Sequence, residues 1–180
     1  MSRWEPLLEQ LVTERYPGLV ARGVLLTGSR VAAEDLVQDA LVSTFSGRAR
    51  FASLAEAEAY VRRAMTSRSV DAARRAIAER RAMSVLGAMP APTSAAEHGL
   101  DPTVVGALGT LSPRVRACVV LRHLDDQSVR DTARLLNLSE GAVKRYVSDG
   151  VTALNAILGT VATGREDVVR ISGLEVRHGA

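Results

Sequence analysis

The chain is short of several things a catalyst or a secreted protein needs. It has one cysteine, Cys118, so no internal disulfide can form. That cysteine lies in the apolar run Ala117-Cys-Val-Val-Leu121, which points to a buried, reduced thiol and a cytoplasmic setting. Aromatic residues make up only 3%, so any core must be built from Leu, Val and Ala. No apolar run approaches the roughly 18 residues of a membrane span, and no charged-then-apolar leader opens the chain, so neither membrane insertion nor a signal peptide is expected. His98, His123 and His178 fall in unrelated segments without metal-ligand spacing. A glycine-rich phosphate loop and a nucleophile elbow are both missing from the sequence. Asp125-Asp126 reads as a turn rather than a carboxylate pair. The expectation is a protein without catalytic residues, metal or cofactor. Runs of β-branched or aromatic residues in period-two alternation are also rare, which argues against sheet.

What the chain does have is helix-forming material. Hydrophobic residues are 47% of the 180, and Ala, Leu, Arg and Glu dominate. An all-α protein follows. The formal net charge is +3, with 23 basic against 20 acidic residues, and the pI is about 9.6. The distribution says more than the total. Between Tyr60 and Arg81 lie Arg62, Arg63, Arg68, Arg74, Arg75, Arg80 and Arg81, opposed only by Asp71 and Glu79. Between Val31 and Glu58 the balance reverses, with Glu34, Asp35, Asp39, Glu56 and Glu58 against Arg48 and Arg50. The first segment is a candidate for phosphate contact, its neighbour for a basic protein partner.

Apolar spacing places three helices in the first half. The first runs from about Trp4 to Leu26, with Pro17-Gly18 as a candidate irregularity, and ends at Thr27-Gly28-Ser29. The second starts near Val31, carries Leu36, Val37, Ala40, Leu41 and Phe45, and ends at Ser46-Gly47. The third follows Ser53 as N-cap and extends through the basic stretch towards Ser84. Residues 87–99 are rich in Pro, Gly, Ala and Ser and read as a flexible linker. Beyond it, Asp101-Pro102 and Ser112-Pro113 each have the form of a cap followed by proline at the first helical position. The expected organisation is two small helical domains, 1–86 and 100–159, joined by the linker. A C-terminal extension, 160–180, follows. It fits a short strand or a mobile tail, and is expected to fold back on a domain or contact a partner.

The segment from Ser128 to Gly150 reads as a helix-turn-helix, which lays its second helix in the DNA major groove. Val129, Ala133 and Leu136 share one face of the first helix, and Ala133 is small enough for close approach. Asn137 suits a left-handed backbone at the turn. Ser139 is placed to cap the second helix. Ala142, Val143 and Val147 face inward, leaving Glu140, Lys144, Arg145, Tyr146 and Ser148 outward. The same pattern also fits an ordinary helical hairpin with a solvated face.

Three segments together resemble the extracytoplasmic-function (ECF) sigma factors of bacterial RNA polymerase. Ala33-Glu-Asp-Leu-Val-Gln-Asp-Ala40 is similar to the AEDLVQEA signature of that group's first domain. Leu111-Ser-Pro-Arg-Val-Arg-Ala-Cys-Val-Val-Leu-Arg-His-Leu124 is similar to the LPxRxRxVxxLRxL run of the second. Leu138-Ser-Glu-Gly-Ala-Val-Lys144 is similar to the LSEGTVK start of the recognition helix. Their order and spacing make the combination specific, over about Leu11 to Leu158.

The resemblance implies a sigma factor that binds core RNA polymerase and directs it to promoters by reading −10 and −35 elements. Within it, Asp35, Leu36, Gln38 and Asp39 become the polymerase-binding residues. Arg62, Arg63, Ser67, Arg68, Asp71, Arg74 and Arg75 become the −10 contacts, with the loop from Ser46 to Ser53 as the pocket for an extruded base. Phe51 and Tyr60 are the nearby aromatics, for stacking or for the core. Ser139, Glu140, Lys144, Arg145, Tyr146 and Ser148 become the −35 contacts. An anti-sigma protein is the implied regulatory partner. Two departures stand out. Ser67 occupies a position where the group commonly has Asn. Asp149 replaces a residue that is more often basic, and either weakens phosphate contact or accepts from a cytosine amino group. The readings from other classes are a helical adaptor that binds polymerase without reading DNA, and a stand-alone helix-turn-helix regulator.

Overall fold

A computed structural model describes residues 4–47, 50–83 and 99–159; the side chains of 80–83 are outside the description. The linker expected at 87–99, apart from Gly99, and the extension 160–180 lie outside the described residues. Seven helices and no strand occur among the described residues: α1 (Glu5–Thr27), α2 (Arg30–Phe45), α3 (Leu54–Met83), α4 (Pro102–Thr110), α5 (Pro113–His123), α6 (Val129–Leu136) and α7 (Glu140–Leu158).

Local chemistry sets the boundaries. α1 stops where Gly28 takes a left-handed conformation (φ 75°) and donates its N–H to the Val24 carbonyl. Proline at position 17 does not interrupt α1; it sits on the exposed face. Ser29 caps α2 by accepting from the Ala32 N–H. At the head of α3 a reciprocal box forms: Ser53 Oγ accepts from the Glu56 N–H, and Glu56 accepts from the Ala52 N–H. Asp101 caps α4 through the Thr103 N–H at 2.7 Å. Ser112 precedes α5 without a side-chain capping bond, so proline alone marks that start.

α1, α2 and α3 pack around Leu11, Leu19, Val37, Val61 and Met65, all at most 1% exposed. The α1–α2 crossing is tight because Gly23 meets Ala33: a Cβ on residue 23 would lie 2.8 Å from the Ala33 Cβ and 3.1 Å from its carbonyl oxygen. Overpacking of this kind costs about 1–3 kcal/mol, more than the ~1 kcal/mol that alanine gains over glycine in helix propensity. We therefore expect Gly23→Ala to lower the midpoint of thermal unfolding; a variant as stable as the parent would show that the crossing is looser than described. In the second half, α4 to α7 close around Leu108, Val120, Leu121, Val143 and Leu154. Gly150 of α7 plays the matching role there, its absent side chain making room for Val119 and Val115 of α5.

The two helical units expected from sequence are packed directly against each other. Val70 of α3 lies in one apolar cluster with Ala117, Cys118, Leu121, Ala133, Leu136 and Val143. Arg116 of α5 donates to the Leu26 carbonyl at the end of α1 (2.8 Å) and to the Gly109 carbonyl (2.9 Å). Arg22 of α1 reaches Asp125, in the turn between α5 and α6, through two bonds of 2.7 and 2.5 Å. These two side chains are 7% and 6% exposed. Burial lowers the Arg22 guanidinium to about 10, which leaves it a cation at neutral pH.

Cys118 is fully buried, and burial raises its thiol to about 11, so it stays protonated and inert. His123 ends α5 beside Val104, Leu108, Leu124, Leu154 and Leu158, with its Nε2 buried and unpartnered. Burial, helped by Arg122, holds its pKa below the ordinary 6.5. The unfolded chain therefore takes up this proton first. Stability that is present above pH 6.5 is lost as pH falls towards the lower folded value. His123→Leu should remove that component, seen as a smaller difference between denaturant midpoints at about pH 7 and about pH 5. An unchanged difference would exclude His123 as its source.

Candidate nucleic-acid interface

The exposed side of α2 is acidic and partly apolar. Asp35, Gln38 and Asp39 are all exposed, three to four residues apart on one face. Leu36, expected to contact polymerase, is only 7% exposed and packs in the core with Val37, Ala40 and Leu41. It borders the acidic strip on its core side and helps to seat α2. Sequence reasoning missed two further residues on this surface: Val31 and Val42 are 66% and 68% exposed and flank the carboxylates. The available signal was an apolar side chain breaking the polar face at helical spacing. Acidic groups between exposed valines suit a basic, partly apolar protein surface.

α3 is 30 residues long and divides its faces between two tasks. Thr66 and Val70 are buried towards the second helical unit. Arg63, Ser67, Asp71 and Arg74 recur at i, i+4, i+8 and i+11 and form the neighbouring strip. Arg74 and Arg75 are exposed, whereas Arg63, Ser67 and Arg68 are half-buried. Arg74 lies 4.0 Å from Asp71, a solvated pair easily exchanged for a phosphate. Arg62 differs from the other arginines: it is bonded to Glu58, which Arg15 also approaches at 3.6 Å. It is committed to the protein in this arrangement.

A row of aromatic rings runs from the core to the surface beside this strip. Phe45 meets Trp4 at 6.3 Å and Phe51 at 5.7 Å between centroids, and Phe51 meets Tyr60 at 5.4 Å. Phe45 is buried, Phe51 half-buried, and Tyr60 43% exposed with the Arg63 guanidinium 6.0 Å from its ring centre. The row is buried in its middle at Phe45 and open at both ends, at Trp4 (41% exposed) and at Tyr60, and only the Tyr60 end adjoins the arginine strip. Residues 48 and 49 of the adjoining loop are outside the described residues.

The helix-turn-helix has the local geometry its sequence implies. Ser128 caps α6 through the Asp131 N–H at 3.0 Å. Asn137 is left-handed (φ 52°) and closes the helix with its N–H. Ser139 Oγ accepts from the Ala142 N–H at 3.1 Å, and Val143 is wholly buried beneath α7. Glu140, Lys144, Arg145, Ser148 and Asp149 are exposed together on the outer face. Tyr146, expected to point outward, is half-buried and packs on the cluster around Val143. It follows Val143 by three residues and so sits on the shoulder of the buried face. The Arg145 guanidinium lies 5.3 Å from its ring centre, a cation–π contact that orients the arginine.

Comparison with known proteins matches the two halves separately. The sigma-70 region 2 family matches residues 11–78, and the sigma-70 region 4 family matches residues 103–154. An RNA polymerase sigma-E factor of Streptomyces antibioticus is 30% identical over 161 residues, covering 89% of each chain. The chain belongs to the sigma-70 family, in its ECF group. A further relative of this sigma factor, the ECF RNA polymerase sigma factor SigM of Mycobacterium tuberculosis, is 31% identical over 156 residues, covering 87% of this chain and 79% of that one. The fold is shared with the Bartonella quintana sigma factor RpoE, solved in complex with the anti-sigma factor NepR. The TM-score is 0.61 at 22% identity, over 84% of this chain and 96% of that one. As a sigma factor the protein binds core RNA polymerase, directs it to promoters with −10 and −35 elements and promotes initiation. No helix among the described residues is long and apolar enough to cross a membrane, and no group of His, Cys, Asp and Glu side chains there is placed to hold a metal.

Proposed function

We propose a division of this task among three helices. α2 docks on polymerase through Asp35, Gln38 and Asp39, with Val31 and Val42 as apolar flanks. α3 holds the −10 region through Arg63, Ser67, Arg68, Asp71, Arg74 and Arg75, and Tyr60 offers a face to an unstacked base. Arg62 joins them only if Glu58 releases it. α7 enters the −35 major groove with Lys144 and Arg145 leading, Ser139, Glu140 and Ser148 at its rim, and Tyr146 bracing Arg145. The functional units are 1–86 for polymerase and the −10 element and 100–159 for the −35 element, with 87–99 between them. An anti-sigma protein is the proposed regulator, and the cytoplasm the proposed site of action.

The observation that carries the α3 assignment is the strip of arginines on a long helix ending beside an open aromatic ring. Phosphate contacts make binding salt-dependent, with a log–log slope of about −0.7 per contact on single strands. Replacing Arg63, Arg74 and Arg75 together with alanine should therefore lower the slope for a −10 single strand by about 2. The same variant should fail to open promoter DNA in a permanganate footprint with core polymerase. An unaltered slope would remove these residues from the DNA interface.

A further inference from the structure

Two DNA elements named −10 and −35 lie about 25 base pairs apart, or roughly 85 Å along B-form DNA at about 3.4 Å per pair. In this structure the two units proposed to read them touch: α3 packs against α5 and α6, and its Val70 lies in one apolar cluster with Cys118, Leu121, Ala133, Leu136 and Val143. The docked face of α3, Thr66 and Val70, directly borders the strip of Ser67 and Asp71, so the second unit stands where DNA would lie. The arrangement is incompatible with reading both elements at once, and the question becomes what holds it.

At the centre of the contact is a charged pair largely shielded from water. Arg22 engages both carboxylate oxygens of Asp125 and also donates to Thr66 Oγ1 at 2.8 Å. Thr66 in turn donates to the Arg62 carbonyl at 3.0 Å. One guanidinium thus ties together α1, α3 and the turn that precedes the helix-turn-helix. Taking both charges out of water offsets most of their mutual attraction. Such a pair contributes little net affinity, yet leaving either charge buried alone is costly, so it fixes one docking geometry and none of its neighbours. When the units part, both groups regain water. Polar pairs of this kind suit a contact that must form and release.

We propose that Arg22 and Asp125 form an autoinhibitory latch that holds the helix-turn-helix unit over the −10 face of α3 until polymerase separates the two. This rests on the α3 assignment above for its consequence, but the latch itself is a statement about the protein alone.

The test uses the full chain and two variants of opposite effect. Asp125→Asn leaves Arg22 without its counter-charge. It should open the protein, seen as a larger radius of gyration in solution scattering at unchanged helix content by circular dichroism. It should also raise the affinity of the free protein for a −10 single-strand oligonucleotide at least tenfold. Arg22→Met/Asp125→Leu replaces the pair by apolar groups that have no water to regain. It should remain closed and bind that oligonucleotide no better than the parent. An Asp125→Asn protein that keeps the parental radius overturns the latch. One that loses its helices does so as well, since the pair would then be a folding requirement. An opened variant without gain in DNA affinity upholds the latch and counts against the assignment of α3.

Discussion

Reversing the charge of the outer face of α2, in Asp35→Arg/Asp39→Arg, is expected to abolish binding to core polymerase. Both side chains are exposed and neither is bonded to the rest of the protein in any way that folding requires, so helix content and unfolding temperature should be little changed. What changes is the partner's view of the helix. Two carboxylates between exposed valines become two cations, opposite the basic surface proposed to receive them. Loss of a close charged pair at an interface costs ~2–5 kcal/mol, and like-charge juxtaposition adds to it. With a factor of ten for every ~1.4 kcal/mol, the affinity should fall by more than about 100-fold. Titration of labelled protein with core polymerase measures this directly. Binding within a few-fold of the parent would place the polymerase contact elsewhere. Leu36→Ala gives a contrasting result, since that side chain is buried: it should lower stability by ~2–5 kcal/mol, and affect binding only through loosening of α2.

The second large effect is expected at the start of α7. Lys144→Ala/Arg145→Ala removes the two cations that project from the recognition helix while Ser139 still caps it and Val143 still anchors it. A well-placed bidentate contact to a base is worth ~1–3 kcal/mol of discrimination. Losing both should reduce the preference for a matched over a mismatched −35 duplex by about 10- to 100-fold. Binding to a −10 single strand should not move, because α3 is untouched. Competition between the two duplexes at fixed salt is the appropriate measurement, since salt alone changes affinity by large factors. Equal loss on both duplexes would mean that these residues contact phosphate rather than bases.

Much of this architecture was legible in the sequence, for reasons that are local. Ser53, Asp101 and Ser139, read as caps, do cap helices with hydrogen bonds to the next turn, and such bonds depend on a few adjacent residues. Asn137 takes the left-handed turn for the same kind of reason. The helix faces followed from apolar spacing, as with Leu36, Val37, Ala40 and Leu41. Where a side chain falls at the edge of a face, spacing decides less. Tyr146 packs on the shoulder of the core rather than pointing out.

Contacts between distant segments were not legible. Arg22 sits in the apolar stretch Leu19 to Leu26, and a charge there signals a buried partner without saying which. The partner is 103 residues away, in a turn whose two aspartates look alike in sequence. Only the packing distinguishes them: the Asp125 side chain is 6% exposed, whereas Asp126 takes a left-handed conformation (φ 49°) at the exposed corner of the turn. Arg62 shows the same limit. Composition marks it as one phosphate-binding arginine among several, and only the neighbouring Glu58 and Arg15 set it apart.

The most direct test of the whole account is run-off transcription with purified core polymerase on a pool of genomic promoter fragments, with Asp35→Arg/Asp39→Arg run beside the parent. Discrete transcripts are expected with the parent, sharing −10 and −35 sequences upstream of their starts, and none with the variant. Transcripts that persist with the variant, or a parent that yields no discrete starts, would contradict it.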